Sequence, residues 1–300
     1  MNGREEETRS SFRTIALLLA IPVVGLAVFL VWRLWEGGTA PKERGPERRQ
    51  QEASRRDVQG TRAPRHVEEP QALPKVTRKL RPQGAGIVLI IDDLGFDGQP
   101  LERVMQLDPN VNCSILPNGT RADEFARRLH ASGFEVLCHL PMQPRGTEAP
   151  GRNAILTSMS DEEIARTTRE NIEAVPYARG VNNHMGSLAT TDRRVMFSVL
   201  QALPEGMYFI DSRTTGGSIA ANVARELNVR TASRQVFLDD LATEAAVRRQ
   251  LAQLAAAAET HGTAIGIGHP HAVTLRVLAE EMPKLRAQGF RFVRASEVVR

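Results

Sequence analysis

The sequence predicts a single α/β domain over residues 83–300, either a barrel or an open doubly wound sheet. Short apolar runs alternate there with amphipathic stretches about eight times, as βα units do. The first run, GIVLII at residues 86–91, has no polar alternation, which is typical of a strand covered on both faces. The whole chain has 300 residues, enough for one large domain or two smaller ones.

The elements follow in order along this domain. Strands are predicted at residues 86–91, 111–115, 134–138, 180–182, 207–210, 229–232, 263–267 and 290–293. Helices are predicted at residues 101–107, 121–131, 160–174, 191–203, 218–227, 244–259 and 273–287. Ser160 and Glu163 have the spacing of a capping box, and Asp192 offers a second helix start.

Residues 15–32 are eighteen residues without a charge, close to the minimum that crosses a hydrocarbon core of about 30 Å. They predict one membrane-spanning helix. A cleaved signal peptide and a buried core helix are the alternatives, but the run exceeds the apolar region of about 7 to 15 residues in signal peptides. More basic residues follow the run than precede it, yet the positive-inside rule weakens for long translocated regions. We therefore expect residues 1–35 to form a cytoplasmic tail and inner-membrane anchor, with the body on the periplasmic side.

Residues 36–82 contain six of the seventeen prolines, a net charge of +5 and almost no large apolar residue. Such a segment cannot bury enough surface to offset its chain entropy, so it predicts a disordered linker. Residues 83–300 carry a net charge of −2, which excludes a basic nucleic-acid-binding domain. The two cysteines, Cys113 and Cys138, exclude a disulfide scaffold, although a disulfide between them stays possible.

Ionisable side chains gather just after the predicted strands. Four of the seven histidines and three aspartates occupy such positions: His139, His184, His269, His271, Asp92, Asp93 and Asp211. Catalytic groups collect at the carboxyl ends of strands in α/β barrels and open sheets. A single histidine there would indicate a hydrogen-bonded loop residue, but the group together predicts a metal or acid/base site.

The run Ile90-Ile91-Asp92-Asp93-Leu94-Gly95 resembles the Asp-Asp-Gly motif that opens the polysaccharide deacetylase (NodB-like) superfamily. With the segments at residues 133–144, 182–187, 211–214 and 265–271, the sequence is most similar to the divergent polysaccharide deacetylase family. The resemblance covers residues 86–300 and depends on the order and spacing of these motifs. It implies an irregular (β/α) barrel of about seven strands that removes acetyl groups from N-acetylated sugars with the help of a metal.

The resemblance also implies roles. Asp92 corresponds to the general base, Asp93 to a metal ligand and His139 to the first metal histidine. His269 corresponds to the histidine that protonates the leaving amine, and His271 is the competing acid. The implied cofactor is a divalent metal, zinc by preference, because such an ion polarises an amide carbonyl and lowers the pKa of water.

One position departs from the family pattern. The second metal histidine stands four residues after the first, and here that residue is Gln143, a poor zinc ligand. Either His184 supplies the missing imidazole, or metal binds weakly and the activity is lost. We predict that His184 is the ligand. Further candidates for binding substrate or holding the ligands are Asn183, Asp211, Arg213, His271 and Gln143.

Three functions follow. The first is a membrane-anchored metal hydrolase that deacetylates an N-acetylated cell-envelope carbohydrate. The second is an inactive deacetylase-like barrel that binds or scaffolds envelope glycans. The third is a phosphoester hydrolase or amidase that uses the same metal. The expected partners are the membrane and a carbohydrate, and the sequence identifies no protein partner. Aromatic residues make up only 5% of the chain, which argues mildly against tight binding of a long glycan.

Overall fold

A computed structural model of the protein describes residues 84–300. The predicted membrane anchor and linker, residues 1–82, lie outside the described residues. Within residues 84–300, no helix is both long and apolar enough to cross a bilayer. Both cysteines in this region are buried and free rather than joined in a disulfide.

Within residues 84–300, nine parallel strands form one sheet, in the order β6-β5-β4-β3-β2-β1-β8-β7, and β9 pairs with the first residues of β1. The strands are β1 (Gly86–Leu94), β2 (Asn112–Ile115), β3 (Glu135–Met142), β4 (Ala178–Met185), β5 (Tyr208–Asp211), β6 (Thr231–Ser233), β7 (Val236–Phe237), β8 (Thr263–Gly268) and β9 (Arg291–Phe292).

Seven α-helices connect these strands in the part of the chain that the structure describes. They are α1 (Leu101–Met105), α2 (Ala122–Ala131), α3 (Asp161–Glu173), α4 (Arg193–Gln201), α5 (Ala220–Glu226), α6 (Glu244–His261) and α7 (Ala272–Ala287). The predicted capping box begins α3: Ser160 Oγ accepts from Glu163 N at 3.2 Å, and Ser160 N donates to Glu163 Oε2 at 2.8 Å. Asp192 caps α4 by accepting from Val195 N.

The sheet curls until its two edges are neighbours. β6 and β7 stand at opposite ends of the strand order, yet only Arg234 and Gln235 separate them in the chain. Two residues span no more than about 11 Å between the flanking Cα atoms, so the edges must approach each other. Arg234 N donates to Asp211 O, at the end of β5, whereas Gln235 N donates to Ile265 O in β8. No ladder of paired residues joins β6 to β7 in residues 84–300, so the barrel is incomplete.

Alternate residues of each strand divide between two cores. The inward set packs into one cluster along the barrel axis: Val88, Ile90, Leu137, Tyr208, Ile210, Ile265, Ile267, Val293, Ala295 and Val299. The outward set, which includes Ile87, Leu89 and Ile91, packs under the helices. Because both faces of β1 are buried, its sequence shows no polar alternation, as predicted.

The parallel α/β architecture is confirmed, with differences in detail. Residues 84–300 contain nine strands, whereas the sequence predicts eight and the family resemblance implies about seven; the additional strand, β7, has only two residues. β4 extends beyond the predicted residues 180–182. Its last residues are polar, so the sequence pattern does not indicate that the strand continues to Met185. The strand predicted at residues 229–232 is Thr231–Ser233, and β7 is missing from the prediction.

Candidate metal centre and active site

Along the strands, the side chains that point into the barrel (the inward row) change from apolar to polar toward the carboxyl end. Side chains alternate across a strand, so the row that holds Val88 and Ile90 continues to Asp92. The corresponding rows reach these polar residues on the other strands or just beyond them: Ser114, His139, Asn182, His184, Ser212 and His269. The fold therefore concentrates polar groups inside one end of the barrel.

A β-bulge brings Asp92 and Asp93 to the same place, although neighbouring strand residues normally face opposite ways. The β1–β2 register shifts between Ile91 and Leu94, so two residues of β1 lie opposite one residue of β2. Asp93 has a φ of 58°, in the left-handed region that residues other than glycine seldom occupy. The bulge keeps Asp92 in the inward row and turns the Asp93 carboxylate toward the same space.

Asp93, His139 and His184 form a tight cluster. Asp93 Oδ1 lies 3.1 Å from His139 Nε2 and 2.9 Å from His184 Nδ1, and the two nitrogens are 3.2 Å apart. Ligand atoms bound tetrahedrally to zinc at its usual bond lengths lie about 3.3 Å from one another. Asp93 Oδ1 is buried and has no hydrogen-bond partner of good geometry. The donor set, the spacing and this unpaired oxygen all fit a divalent metal.

Asn182 connects this cluster to Asp92. Its Oδ1 accepts from Ser114 Oγ and lies 2.9 Å from His139 Nδ1, while its Nδ2 donates to Asp92 Oδ1 at 2.9 Å and to Ser212 Oγ at 3.1 Å. All four hydrogen-bonding positions of the amide are thus used. The Asn182 oxygen beside His139 Nδ1 favours a proton on that nitrogen, so Nε2 is the ring atom that faces Asp93 and is available to a metal.

His269 is held by Asp239, which follows β7. His269 Nδ1 lies 2.9 Å from Asp239 Oδ1, and Asp239 Oδ2 accepts from His269 N at 2.7 Å and Thr274 Oγ1 at 2.8 Å. These contacts fix the imidazole ring from one side. Its other nitrogen, Nε2, lies 3.7 Å from Asp93 Oδ2 and so faces the cluster.

The pKa values show how strongly the cluster favours a positive charge. Burial lowers the pKa of His139, but the charges of Asp92 and Asp93 outweigh burial and raise it to about 9. Burial raises the pKa of Asp93, yet its contacts to His139 and His184 hold it well below the ordinary value. The pKa of Asp92 is raised, mainly by burial. A proton or a metal ion between these groups offsets the cost of burying two carboxylates.

These residues line a cleft of about 470 Å³ at the carboxyl end of the barrel. Of the predicted substrate-binding candidates, Asn183 and Arg213 line it as well. Both amide atoms of Asn183 are engaged, because Oδ1 accepts from Ser212 N and Nδ2 donates to Met185 O. Asn183 therefore shapes the loops of the cleft. Met185 and Arg213 share the left-handed backbone of Asp93, with φ values of 51° and 48°.

Three other predicted residues lie apart from the cluster. Gln143 Oε1 accepts from Thr157 N at 2.7 Å and Thr157 Oγ1 at 2.9 Å, so it holds a loop. Asp211 faces outward and accepts from Arg213 N and Ser218 Oγ, which closes the turn after β5. His271 is exposed at the start of α7, with its ring 5.7 Å from that of His269.

Sequence reasoning missed Asp239 and Arg234 and gave no role to Asn182. A signal for Asp239 was present, because Val236-Phe237-Leu238-Asp239-Asp240 repeats the pattern of an apolar run followed by paired aspartates in β1. A two-residue strand is too short to stand out by periodicity. Arg234 carries no comparable signal, because its place at the seam between β6 and β7 depends on the curl of the sheet.

The fold and the cluster define a class of protein: an incomplete (β/α) barrel with a carboxylate and two imidazoles, suited to a metal, at its active end. Comparison with known families agrees with this class. The divergent polysaccharide deacetylase family matches residues 89–299, and the chain belongs to that family.

Two curated relatives and a solved structure illustrate what this chain is similar to. The uncharacterized protein YibQ of Escherichia coli is 39% identical over 195 residues, which are 65% of this chain and 61% of YibQ. An uncharacterized protein of Haemophilus influenzae is 34% identical over 193 residues, 64% of this chain and 69% of the relative. An uncharacterized protein of Agrobacterium tumefaciens shares the fold, with a TM-score of 0.70 and 20% identity over 72% of this chain and 90% of that one. This chain thus spans less than two thirds of YibQ.

Proposed function

We propose that this protein is a metal-dependent hydrolase that removes the acetyl group from an N-acetylated cell-envelope carbohydrate. The observation that carries the proposal is the convergence of Asp93, His139 and His184 in one cleft, with Asp92 and His269 next to them. Membership of the divergent polysaccharide deacetylase family supports the reaction class. A metal site alone would also suit a phosphoester hydrolase. Amide hydrolysis is preferred here because the chain belongs to a deacetylase family.

Asp93, His139 and His184 would hold the divalent metal, zinc by preference, since one carboxylate oxygen and two imidazole nitrogens suit that ion. When bound, the ion polarises the acetamido carbonyl and lowers the pKa of water. Gln143 takes no part, because its side-chain oxygen is already bound to Thr157. His184 therefore replaces the histidine that the family places four residues after His139.

Asp92 acts as the general base in this proposal. Its side chain is buried next to the ligands, with Oδ2 3.6 Å from His139 Nε2, and Asn182 fixes Oδ1. Burial raises the pKa of Asp92 above that of an ordinary aspartate, which makes the carboxylate a better proton acceptor. The proton it accepts from the attacking water stays within reach of the reacting centre.

His269 acts as the general acid. Burial lowers its pKa, but the hydrogen bond and charge of Asp239 together with the charges of Asp92 and Asp93 raise it above the ordinary value. The raised pKa keeps a larger fraction of the imidazole protonated than in an ordinary histidine. Because Asp239 occupies Nδ1, the proton that can leave is on Nε2, which faces the cleft. That proton goes to the amine as the C–N bond breaks.

Metal content and acetate release test this function together. Purified protein should bind one zinc per chain and, when loaded, release acetate from an N-acetylated envelope glycan or oligosaccharide. Stoichiometric zinc without acetate release, together with measurable glycan binding, would replace the proposal with the non-catalytic glycan-binding barrel. Zinc-dependent release of phosphate from a phosphoester, with no acetate release, would favour the other hydrolase class.

We also propose that residues 1–35 anchor the protein in the inner membrane, with the body in the periplasm. The support is the uncharged run of eighteen residues at 15–32. An enzyme reporter that is active only in the periplasm, fused after Arg300, should be active. Activity of a strictly cytoplasmic reporter at the same position would overturn the location.

A further inference from the structure

The two sides of the cleft differ in charge. On the side of β1, β7 and β8, a hollow that adjoins the cleft has acidic and imidazole groups and no lysine or arginine in its lining: Asp93, Asp97, Asp239, Asp240, His269 and His271. Next to this hollow, after β5 and β6, the cleft is lined by Arg213 and Arg234. These are its two arginines, next to the proposed reacting centre. Such a division can orient a substrate that is itself charged.

Arg234 is fixed in place but keeps its charge. Its Nε donates to Ser212 O at 2.6 Å and its Nη2 donates to Arg213 O at 2.8 Å, while one face of the guanidinium lies over the Phe237 ring at 4.9 Å. These partners are neutral. Nη1 has no hydrogen-bond partner among residues 84–300. A held guanidinium with free donors loses little entropy when it binds an anion.

Arg213 adds a second charge beside the first. Its side chain is exposed, and within residues 84–300 neither Arg213 nor Arg234 forms an ion pair with a carboxylate. Burial and the charge of Arg213 lower the pKa of Arg234, whereas the charges of Asp92 and Asp211 raise it. The two guanidinium groups therefore interact electrostatically. Glu148 and Asp240, the exposed acids on the same cleft, pair with neither. Two neighbouring guanidinium groups that form no ion pair within residues 84–300 favour an anionic ligand.

We propose that the natural substrate carries an anionic group, a carboxylate or a phosphate, close to the acetamido group, and that Arg213 and Arg234 bind it. This inference rests on the proposed deacetylase function. Guanidinium groups bind carboxylate and phosphate through paired N–H donors. Neutral N-acetylglucosamine chains would then be poor substrates, and acidic N-acetylated glycans would be preferred.

The test compares glycans that differ in one charged group. The probes are a neutral N-acetylglucosamine tetramer, an oligosaccharide of alternating N-acetylglucosamine and glucuronate, a peptide-free peptidoglycan strand with its lactyl carboxylates, and a phosphate-substituted N-acetylglucosamine chain. Carboxyl-reduced forms of the two carboxylate probes are the matched controls. We expect kcat/KM to be about tenfold or more higher for an acidic probe than for its reduced form, the usual weight of hydrogen bonds to a charged group. The preference should shrink as salt screens the charges.

Variants assign the preference to the two arginines. Arg213→Gln should reduce the ratio of acidic to reduced probe to near one, and Arg213→Lys should retain part of it. Arg234→Gln should act in the same direction, but Arg234 also binds two backbone carbonyls, so Arg213 carries the test if that variant folds poorly. Arg249→Gln, an exposed arginine on the outer helix α6, is the matched control and should keep the wild-type ratio.

The outcomes separate this inference from the function on which it rests. Equal kcat/KM for acidic and reduced probes would overturn the anionic subsite and leave the deacetylase proposal intact. If no probe loses acetate, the deacetylase proposal fails. Calorimetric binding of the same probes then tests whether the anionic subsite exists. Tighter binding of an acidic probe that Arg213→Gln abolishes would uphold it, whereas equal binding of acidic and reduced probes would overturn it.

Discussion

The two ends of the barrel interior use the same strands but treat their buried polar groups in opposite ways. At the amino end, Glu135 accepts from Tyr208 Oη at 2.7 Å and from Ser296 N at 2.9 Å. Asn112 there donates to Leu89 O and accepts from Ala295 N, each at 2.9 Å. The last residues of the chain thus close this end with paired polar groups.

At the carboxyl end, the polar groups are crowded and incompletely paired. Asp93 Oδ1 is buried without a hydrogen bond, although two imidazole nitrogens lie within about 3 Å of it. Buried polar groups normally find partners, and an unpaired one is costly unless a ligand completes it. The comparison teaches that pairing, rather than polarity, separates the structural end of this barrel from the end suited to chemistry.

The largest effect should come from removing a ligand at the carboxyl end. His184→Ala should lose stoichiometric zinc and lower kcat/KM by about 10³-fold or more, because the metal contributes several kcal/mol of charge stabilisation. Metal analysis after dialysis and acetate release measure the two losses. His261→Ala, at the exposed end of α6, is the control and should keep both. Retention of zinc by His184→Ala together with its loss in Gln143→Ala would reverse the ligand assignment.

The next effect separates chemistry from metal binding. Asp92→Asn and His269→Ala should lower kcat by about 10² to 10⁴ while keeping zinc, since each removes a proton-transfer group. Single-turnover assays with matched zinc content measure this. His271→Ala serves as the comparison for His269→Ala, because the His271 ring is exposed 5.7 Å away. A larger loss in His271→Ala would transfer the role of general acid to that residue.

Asp239→Asn should change the pH dependence more than the maximal rate. Asp239 helps to raise the pKa of His269, and a general acid works only while protonated. Activity is therefore lost as pH rises through that pKa, and without the Asp239 charge the loss should begin at a lower pH. A pH profile of kcat against wild type measures the shift. An unchanged alkaline limb would show that His269 does not control it.

The smallest effect belongs to the amino end and should leave the chemistry alone. Tyr208→Phe removes one hydrogen bond to Glu135 and should lower the free energy of unfolding by about 1 to 2 kcal/mol. Zinc content and kcat should not change. Urea unfolding measures the difference, and Tyr177→Phe, at the other tyrosine, which is half exposed, should stay within about 0.5 kcal/mol of wild type. A loss of zinc in Tyr208→Phe would contradict the separation of the two ends.

The sequence alone determined the class of fold and the end of the strands that holds the polar groups. The apolar run before Asp92 and the positions of His139 and His269 after later strands were sufficient, because parallel strands bring their carboxyl ends to one rim. Likewise the capping box at Ser160 is a local pattern, since its partner is three residues away. Local interactions of this kind need no knowledge of the rest of the chain.

Only the tertiary structure decided which polar groups meet. The bulge that aims Asp93 depends on its pairing with β2, and the inward position of His184 beside the outward Asn183 depends on the register of β4. Gln143 bonds to Thr157, and Asp239 reaches His269 from the segment just after a strand of two residues. Arg234 and Gln235 join the two edges of the sheet only because the sheet curls. These contacts link residues far apart in the chain, and curvature and register, rather than composition, set their distances.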